Sequence, residues 1–364
     1  MADRFDAAFV IADLEAGGAQ RAMLRAVDGL RARGWRIAVV TLADPSSDFY
    51  RLPNGVRRES IGGVAASGNF IVGLLRNVAR AWALRQALRR IGAPVALSFV
   101  TQTNILLLTA GVGLDMRLVV SERNDPRKQA LGGVWRRLRD LLYPRASAVT
   151  ANSQGAVETL AADIRGIAPV LLPNPPPATV ETPCAAARPD VILNVGRLHR
   201  QKGQDTLVEA FAAIAPRHLD VRLVVAGEGG ERKMLEAQAR QLGIADRVDF
   251  PGAVSDIEAF YRRGPIFAFP SRHEGTPNAL LEAMAFGLAC VASNCSPGMA
   301  ATIADGQDGM LVPPDDPAAL AAALNRLLDD EALRTRIAAA ALDTARQRTR
   351  TSDIEAWERV LGLV

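Results

Sequence analysis

The chain has 364 residues, of which 49% are hydrophobic and 23% are charged, and its formal net charge is +4. This length suits two domains of roughly 180 residues better than one core, and the composition excludes a disordered or collagen-like chain. Residues 1–180 carry 23 Lys and Arg against 14 Asp and Glu, whereas residues 181–364 carry 20 against 25, so the basic half is expected to meet something anionic.

From the sequence we expect neither a targeting segment nor a membrane span. It begins Met-Ala-Asp-Arg-Phe-Asp, and these early acids are unlike a signal peptide. The longest uncharged stretch, Ile91–Leu114, has a polar centre that would be costly in a bilayer. It therefore predicts a buried strand followed by a helix. The three cysteines form neither a CxxC pair nor a metal-ligand spacing, which predicts packing roles in a reducing cytoplasm; they are Cys184, Cys290 and Cys295.

Short β-branched runs alternate with amphipathic helical patterns, which indicates parallel sheets covered by helices. One such helix is predicted over Ala19–Arg33, with Gly34 ending it. The predicted strands of the first half are Ala7–Ala12, Arg36–Leu42, Val95–Phe99, Leu118–Ser121 and Ala148–Ala151. After the proline-rich segment Pro173–Pro189 the predicted strands are Val191–Val195, Val221–Ala226, Arg247–Phe250, Ile266–Phe269 and Ala289–Ala292. Two open α/β units in series are expected, with ligands at the carboxyl ends of the strands.

The sharpest motif is the strand, loop and helix of Phe267–Gly287. We expect the helix to begin with Thr276 as its N-cap and Pro277 in its first turn. Its first N–H groups would then be unpaired and available to a phosphate; they belong to Asn278, Ala279 and Leu280.

Glu274 and Glu282 flank the start of this helix, with seven residues between them. One carboxylate can accept hydrogen bonds from a ribose and the other from a sugar. The simpler alternative is that Glu282 is a helix acid favoured by the dipole and Glu274 a solvated loop acid.

Two further turns each lie between a strand and a helix. In Asn194–Gln204, Arg197 and Lys202 can both reach one diphosphate, although a surface turn with incidental charges is the alternative. Gly17 and Gly18 would let the backbone approach a phosphate, but any tight turn can use such a pair. The run Ala226–Gly230 lacks the full dinucleotide-binding spacing. No zinc-protease, serine-hydrolase or Walker A motif occurs.

Together these motifs resemble the family 4 glycosyltransferases, which are retaining enzymes of the GT-B fold with an E-x7-E motif like that of Glu274 and Glu282. The similarity covers nearly the whole chain, is strongest over residues 190–330, and is nearest to the group that makes bacterial surface polysaccharides or lipid-linked oligosaccharides. The other matching segments are Gly17–Gln20, Ala151–Gln154, Pro173–Pro175, Val195–Leu198, Gly227–Gly230, Val248–Gly252, Glu282–Ala285 and Asp308–Pro313.

The resemblance implies two Rossmann-like parallel-sheet domains facing across a cleft. The N-terminal, acceptor-side domain would span residues 1–175, a linker residues 176–189, and the nucleotide-sugar-binding domain residues 190–345. Residues 346–364 would cross back to the N-terminal domain.

The resemblance also implies roles for individual residues. Arg197 and Lys202 would hold the donor diphosphate, which removes the need for a metal ion or cofactor. Glu282 would bind the ribose and Glu274 the donor sugar. The remaining donor contacts would come from the N–H groups of Asn278, Ala279 and Leu280, from the loop ending at Val254, which packs on the base, and from Gly17 and Gly18 of the other domain.

One departure concerns the first domain, where many family members have a histidine near the donor sugar. Here the corresponding strand and loop, Val119–Pro126, contain none. Glu122, Arg123 or Asn124 is expected in its place, and we assign Arg123 to the donor site.

The resemblance predicts transfer of a hexose or N-acetylhexosamine, most simply from a UDP-sugar, to a glycan or lipid-linked acceptor. The basic amphipathic segments Asn69–Ile91 and Trp135–Arg145 predict docking on an anionic membrane surface at the cytoplasmic face, with ordinary solvated helices as the alternative. A nucleotide-sugar epimerase and a catalytically inactive binding protein remain as other functions. Nucleic-acid binding is not expected, since no recognised motif accompanies the basic residues.

Overall fold

The computed structural model describes residues 5–62, 70–123, 131–175, 191–274, 276–300, 302–350 and 353–364. The predicted linker over residues 176–189 lies outside the described residues, as do Asn124 and Cys184. The chain divides into two compact units. Unit 1 comprises Met1–Ala178 with Ser352–Val364, and unit 2 comprises Thr179–Thr351.

Unit 1 is built on a seven-stranded sheet with the order β3-β2-β1-β4-β5-β6-β7, in which neighbouring strands pair in parallel. Every strand predicted for this half has a counterpart, while the polar β3 and the two-residue β7 were not predicted. Both are edge strands, so within the described ranges each has a strand partner on one side only. The strands are β1 (Ala7–Ile11), β2 (Ile37–Thr41), β3 (Arg57–Ser60), β4 (Val95–Phe99), β5 (Arg117–Glu122), β6 (Ala148–Ala151) and β7 (Val170–Leu171).

Helices cover both faces of this sheet because successive residues of the buried strands point to opposite sides. Phe9 and Ile11 pack with α1 and α13, whereas Ala8 and Val10 pack with α2 and α3. The residues of α4 and α5 extend the second layer. The unit 1 helices are α1 (Gly18–Ala32), α2 (Phe70–Ile91), α3 (Thr101–Ala110), α4 (Gly133–Leu142), α5 (Gln154–Asp163) and α13 (Asp353–Leu361). Gly34, at φ +92°, follows α1 as predicted.

Unit 2 repeats this plan with a six-stranded parallel sheet in the order β10-β9-β8-β11-β12-β13. The sequence predicted all of these strands except β13, which is short and lies at an edge. The α/β class and the two parallel-sheet units predicted from sequence are therefore confirmed. The strands are β8 (Val191–Val195), β9 (Arg222–Ala226), β10 (Val248–Gly252), β11 (Ile266–Phe269), β12 (Ala289–Ser293) and β13 (Met310–Val312).

The unit 2 sheet is also covered on both faces. One layer is formed by α6, α7 and α11, and the other by α8 and α9, with α12 contributing to both. No helix within the described ranges combines the length and apolarity that a membrane span requires. The helices are α6 (Gln204–Ile214), α7 (Arg232–Gln241), α8 (Ile257–Tyr261), α9 (Asn278–Ala285), α10 (Pro297–Ala300), α11 (Pro317–Asp329) and α12 (Glu331–Arg350).

Candidate active site

The central strands β8 and β11 mark the point at which the strand order of unit 2 reverses. At such a point the connections that leave the carboxyl ends of the strands diverge, which opens a crevice for a ligand. The connections after β8 and β11 contain Arg197, Lys202 and Glu274. The structure therefore brings these three predicted residues to one edge of the sheet.

Lys202 and Glu274 form an ion pair at this edge. The Lys202 Nζ lies 2.6 Å from Oε1 of Glu274, and the side chains are 23% and 7% exposed. Lys202 ends a short 3-10 turn that begins at Arg200, and the Nδ1 of His199 accepts a hydrogen bond from the Gln201 N–H at the start of that turn. Glu274 is therefore a partnered, largely buried carboxylate and not the solvated loop acid of the simpler alternative.

Gly203 allows the connection after β11 to lie directly against the start of α6. Its φ is +65°, and a Cβ atom there would lie 2.1 Å from the carbonyl oxygen of Pro270. A side chain at this position would meet both a strained backbone and a steric clash. Because Gly203 follows Lys202 and Pro270 precedes the Glu274 loop, this close approach helps to bring the ion pair together.

Arg197 lies in a connection that is tied to its neighbours by backbone hydrogen bonds. The Gly196 N–H donates to Ala226 O at 3.0 Å, and the Leu198 N–H donates to Glu228 O at 2.9 Å. The Arg197 side chain is exposed and pairs with no carboxylate among the described residues. A fixed backbone thus presents a cation that is available to an anionic ligand.

The glycines of Ala226–Gly230 have a structural purpose that the sequence did not predict. Gly227 has a φ of +144°, and a Cβ atom there would lie 1.9 Å from Gly196 O. Its N–H donates to Gly252 O at 2.8 Å. The glycine therefore allows the connections after β8, β9 and β10 to meet.

The start of α9 differs from the prediction. The helix begins at Asn278 with Pro277 as its N-cap, so Thr276 lies one residue before the cap position. The prediction of Thr276 as N-cap is therefore wrong. The Asn278 N–H is also not free, because it donates to Thr276 O at 2.9 Å. The N–H groups of Ala279 and Leu280 have no hydrogen-bond partner among the described residues, although Leu280 is fully buried, and their ligand contact stays a prediction.

Glu282 is fully buried within α9 and accepts a hydrogen bond of 2.9 Å from the hydroxyl of Tyr261. The Tyr261 ring stacks on Phe286 with 5.4 Å between their centroids. Sequence reasoning missed Tyr261, since no local pattern links α8 to α9. The ribose contact of Glu282 stays a prediction, and it would require the carboxylate to become accessible.

Val254, predicted to pack on a base, follows the carboxyl end of β10. It is half-buried against the apolar cluster that contains Phe260 and Tyr261. Gly252 precedes it with a φ of +84°. These residues lie at the same edge of the sheet as Arg197, and the base contact itself stays a prediction.

In unit 1, Gly17 and Gly18 lie where β1 leads into α1. Gly17 is the N-cap in an extended conformation, and Gly18 is the exposed first residue of the helix. The unit 1 strand order reverses between β1 and β4, so this turn also lies at a switch point. Their approach to a phosphate stays a prediction.

Glu122, one candidate for the missing histidine's place, is buried at the end of β5. Its carboxylate accepts hydrogen bonds from the hydroxyl of Tyr143 and, at 3.1 Å, from that of Thr101. Burial raises the pKa of Glu122, although these hydrogen bonds and the charge of Arg139 oppose the shift. Glu122 therefore belongs to a buried polar network.

Arg123 is buried as well. Its Nη1 donates to Leu172 O at 2.9 Å and to Oδ1 of Asn174 at 2.8 Å, and its guanidinium carbon lies 4.8 Å from the centroid of the Trp357 ring. The Nε and Nη2 atoms have no hydrogen-bond partner among the described residues, and burial lowers the pKa of Arg123 to about 9. This position favours a role within unit 1, while its donor contact stays a prediction.

The two predicted surface segments show cations beside apolar side chains. On α2, the side chains of Val78 and Trp82 are exposed, Trp82 at 65%, and so are those of Arg76 and Arg89.

On α4, Val134 and Leu141 are exposed beside Arg136 and Arg137. The prediction that Arg139 and Tyr143 belong to this surface is wrong. Tyr143 is buried in the polar network of Glu122, and Arg139 is buried with its Nη2 3.0 Å from Asp140.

Cys295 lies close to the ion pair of unit 2, although the sequence predicted only a packing role for it. Burial raises the pKa of its thiol, and so does the negative charge of Glu274, while the charge of Lys202 lowers it. Within the described part of the chain, no group of three or more His, Cys, Asp and Glu side chains could hold a metal ion. The expectation that no metal is needed stays a prediction.

Two family models match the chain. The "Glycosyl transferase 4-like domain" covers residues 17–175 in unit 1, and "Glycosyl transferases group 1" covers residues 185–344 in unit 2.

Two relatives are similar to the chain, one over almost its whole length and the other over about half of it. The chain is 28% identical, over 98% of both chains, to the GalNAc-alpha-(1->4)-GalNAc-alpha-(1->3)-diNAcBac-PP-undecaprenol alpha-1,4-N-acetyl-D-galactosaminyltransferase of Campylobacter jejuni. It is 32% identical to the lipopolysaccharide core biosynthesis glycosyltransferase LpsE of Rhizobium meliloti, over 57% of this chain and 54% of LpsE.

Solved structures share the fold. HepE of Anabaena, in complex with UDP and glucose, superposes with a TM-score of 0.81 at 20% identity, covering 99% of this chain and 100% of HepE. WaaG, a glycosyltransferase involved in lipopolysaccharide biosynthesis, gives 0.73 at 20% identity, over 98% of this chain and 99% of WaaG. Since the two family models together span most of the sequence and the architecture agrees, the chain belongs to family 4 of the glycosyltransferases and has the GT-B fold.

Proposed function

We propose that this protein transfers a hexose or N-acetylhexosamine from a UDP-sugar, with retention of configuration, to a lipid-linked glycan acceptor in bacterial polysaccharide or oligosaccharide synthesis. The observation that carries the proposal is the meeting of Lys202 and Glu274 beside the exposed Arg197 at the switch point of unit 2. The lipid-linked acceptor in the name of the Campylobacter relative and the UDP bound to HepE support the acceptor and donor classes.

The proposed reaction breaks the bond between the anomeric carbon and the donor diphosphate. As negative charge develops on that diphosphate, Arg197 and Lys202 stabilise it, helped by the N–H groups at the start of α9. Glu274 accepts hydrogen bonds from hydroxyls of the sugar, which holds the anomeric carbon in place. The acceptor attacks from the side of the leaving group, and the departing phosphate takes its proton.

Two basic side chains take the place of a metal ion in this proposal. Guanidinium and ammonium groups match phosphate oxygens in charge and geometry. An activity that survives EDTA would support this part of the proposal, whereas activity that returns only with Mg²⁺ or Mn²⁺ would contradict it.

The donor site is tested by calorimetry with UDP, GDP, ADP and a set of UDP-sugars. We expect binding to be selective for UDP, and Lys202→Gln and Glu282→Ala to weaken it. Glu274→Gln should weaken binding of UDP-sugars more than binding of UDP, because Glu274 is proposed to contact the sugar. A folded protein that binds none of these nucleotides would refute the proposal and favour an inactive binding protein.

The reaction is tested by NMR of the product formed on a polyprenyl-diphosphate-linked acceptor. An α-linked product from an α-linked donor would establish retention. Conversion of the UDP-sugar to its epimer without acceptor would instead identify an epimerase.

We also propose that α2 and α4 dock the protein on the cytoplasmic face of an anionic membrane, where a lipid-linked acceptor would be found. Both helices contact α3, and each exposes apolar residues beside arginines. Such surfaces bind anionic bilayers through apolar burial and charge together.

Flotation with vesicles of phosphatidylglycerol and phosphatidylcholine tests this docking. Trp82→Gln should reduce the bound fraction, while Leu219→Gln, which changes an exposed leucine of unit 2, should not. Failure of the wild type to bind anionic vesicles at low salt would contradict the membrane proposal and leave the donor site untouched.

A further inference from the structure

Arg272 joins three connections at the carboxyl edge of unit 2. Its Nη1 and Nη2 donate to Oδ1 and Oδ2 of Asp205, each at 2.8 Å. Its Nε lies 2.5 Å from Oδ1 of Asp315, and Nη1 also donates to Arg200 O at 2.5 Å. Two-pronged pairing fixes the orientation of a guanidinium as well as its position. Because these residues follow β11, begin α6 and precede α11, one side chain holds three segments together.

The charges of this cluster are stable at neutral pH. The hydrogen bond with Asp205 raises the pKa of Arg272. Partial burial raises the pKa of Asp205, but the hydrogen bonds and charge of Arg272 outweigh burial, so the net pKa of that carboxyl is lowered. Both partners therefore remain ionised and the pairing persists.

The backbone around Arg272 is tied to the turn that carries Lys202. The Arg272 N–H donates to Gln201 O at 2.8 Å, and the Gln201 side chain donates to His273 O at 3.1 Å. Glu274 lies between β11 and α9 and belongs to no helix or strand. Its position therefore depends on these tethers, on the pairing of Arg272 and on its own contact with Lys202.

We propose that Arg272 is a positioning residue that sets the geometry of Glu274 and Lys202. It holds the segment that carries Glu274 against the turn that carries Lys202, while its own guanidinium binds protein carboxylates. The proposal rests on the donor roles proposed above for these two residues. A displacement of about 1 Å at a reacting centre can cost about 100-fold in rate, so weaker pairing of Arg272 should measurably change ligand binding and catalysis at this site.

The first test is hydrogen–deuterium exchange of the free protein, which needs no nucleotide. Arg272→Lys keeps the charge but loses the two-pronged pairing. Asp315→Asn is a milder second variant, because it removes one ionic partner at a φ of +58°, a region that Asn tolerates. Arg217→Lys is the matched control, since it alters a 2.7 Å ion pair with Asp329 elsewhere in unit 2.

In both test variants, exchange should rise about tenfold in peptides covering residues 271–281 and stay unchanged in peptides covering β11 and β12. The control variant Arg217→Lys should leave exchange unchanged in both sets of peptides. Unchanged exchange over residues 271–281 in both Arg272→Lys and Asp315→Asn would overturn the proposal, whatever ligands the protein binds.

The second test separates positioning from general destabilisation. Arg272→Lys should bind UDP with a Kd within about threefold of the wild-type value. The sugar preference is the Kd for UDP divided by the Kd for a UDP-sugar, measured with whichever of UDP-glucose and UDP-N-acetylgalactosamine binds the wild type more tightly. In Arg272→Lys this ratio should fall about tenfold. In a Glu274→Gln background, Arg272→Lys should have less than about a twofold further effect on that preference, because both changes act through one carboxylate.

Equal losses for UDP and the UDP-sugars, or full additivity of the two substitutions, would overturn the positioning role. If the wild type binds none of these nucleotides, the proposed function fails, and the exchange experiment still decides whether Arg272 fixes the segment.

Discussion

Lys202 Nζ donates a hydrogen bond of 2.6 Å to Oε1 of Glu274, although 72 positions of sequence separate the two residues. Each lies in a connection that leaves one of the two central strands of unit 2. The ion pair orients both side chains in the free protein. In the proposed mechanism, one charge then meets the diphosphate and the other the sugar hydroxyls.

Lys202→Gln should reduce the catalytic efficiency for donor. Losing one charged contact to the leaving diphosphate costs about 2–4 kcal/mol in the transition state, which corresponds to about a 30- to 900-fold lower kcat/KM. The measurement is UDP release at subsaturating donor. Lys233→Gln, which changes an exposed lysine of α7, should leave the rate unchanged. Equal activity in Lys202→Gln and wild type would remove Lys202 from the mechanism.

Gly227→Ala should destabilise unit 2. The new Cβ atom would lie 1.9 Å from Gly196 O at a φ of +144°, so the connections after β8 and β9 must separate at a cost of about 1–3 kcal/mol. Gly230→Ala is the matched control, because its Cβ atom would meet nothing within 4 Å. Calorimetry should show a lower Tm for Gly227→Ala alone. Similar Tm values for both variants would show that the close approach is not required.

The strands that sequence periodicity recovered are mainly interior ones. β3, β7 and β13 were missed, and all three lie at sheet edges. The residues of β3 are Arg57, Arg58, Glu59 and Ser60, so this strand has no apolar run to detect. An edge strand needs a partner on one side only, and tertiary pairing can then override a weak local signal.

The donor motifs could be predicted because their residues lie close together within a strand–turn–helix pattern. Tyr261 could not, because its contact with Glu282 joins two helices that no local pattern relates. Arg272 lies inside the motif that carries Glu274, yet its partners Asp205 and Asp315 belong to distant segments. Burial was also not readable from the motif: the Arg123 side chain is packed within unit 1 in the structure, and its donor contact stays a prediction.

Glu122→Gln should change how stability depends on pH. Burial raises the pKa of Glu122 in the folded protein above its unfolded value. The contribution of this group to stability is therefore fully present below the unfolded pKa and is lost as pH rises through the folded-state pKa. Glutamine does not titrate, so the Tm of the variant relative to wild type should rise between pH 5 and pH 8, roughly the window above the unfolded pKa.

The control for this series is Glu158→Gln, which changes an exposed glutamate of α5. It should follow the wild-type pH profile. A Tm difference between Glu122→Gln and wild type that does not vary with pH would contradict the raised pKa.

Cys295 should report on occupancy of the donor site. Its half-buried thiol lies within electrostatic reach of Glu274 and Lys202, whereas Cys290 is fully buried. In a Cys184→Ser background, iodoacetamide should therefore modify Cys295 slowly at neutral pH and faster as pH rises. Bound UDP-sugar should slow the reaction, as measured by peptide mass spectrometry. Modification at an unchanged rate under saturating UDP-sugar would place the ligand elsewhere.

Trp357→Ala should destabilise unit 1 although the residue lies only seven positions before the last residue of the sequence. The indole is fully buried, its ring centroid lies 6.2 Å from that of Phe99, and its Nε1 donates to Pro173 O at 3.2 Å. Removing a buried tryptophan costs about 3–5 kcal/mol, which should lower the Tm by about 10 °C. Trp82→Ala, at an exposed site, should change it little. If Trp357→Ala kept the wild-type Tm, α13 would not be part of the unit 1 core. The packing of Trp357 against Phe9 and Phe99 would then contribute nothing to stability.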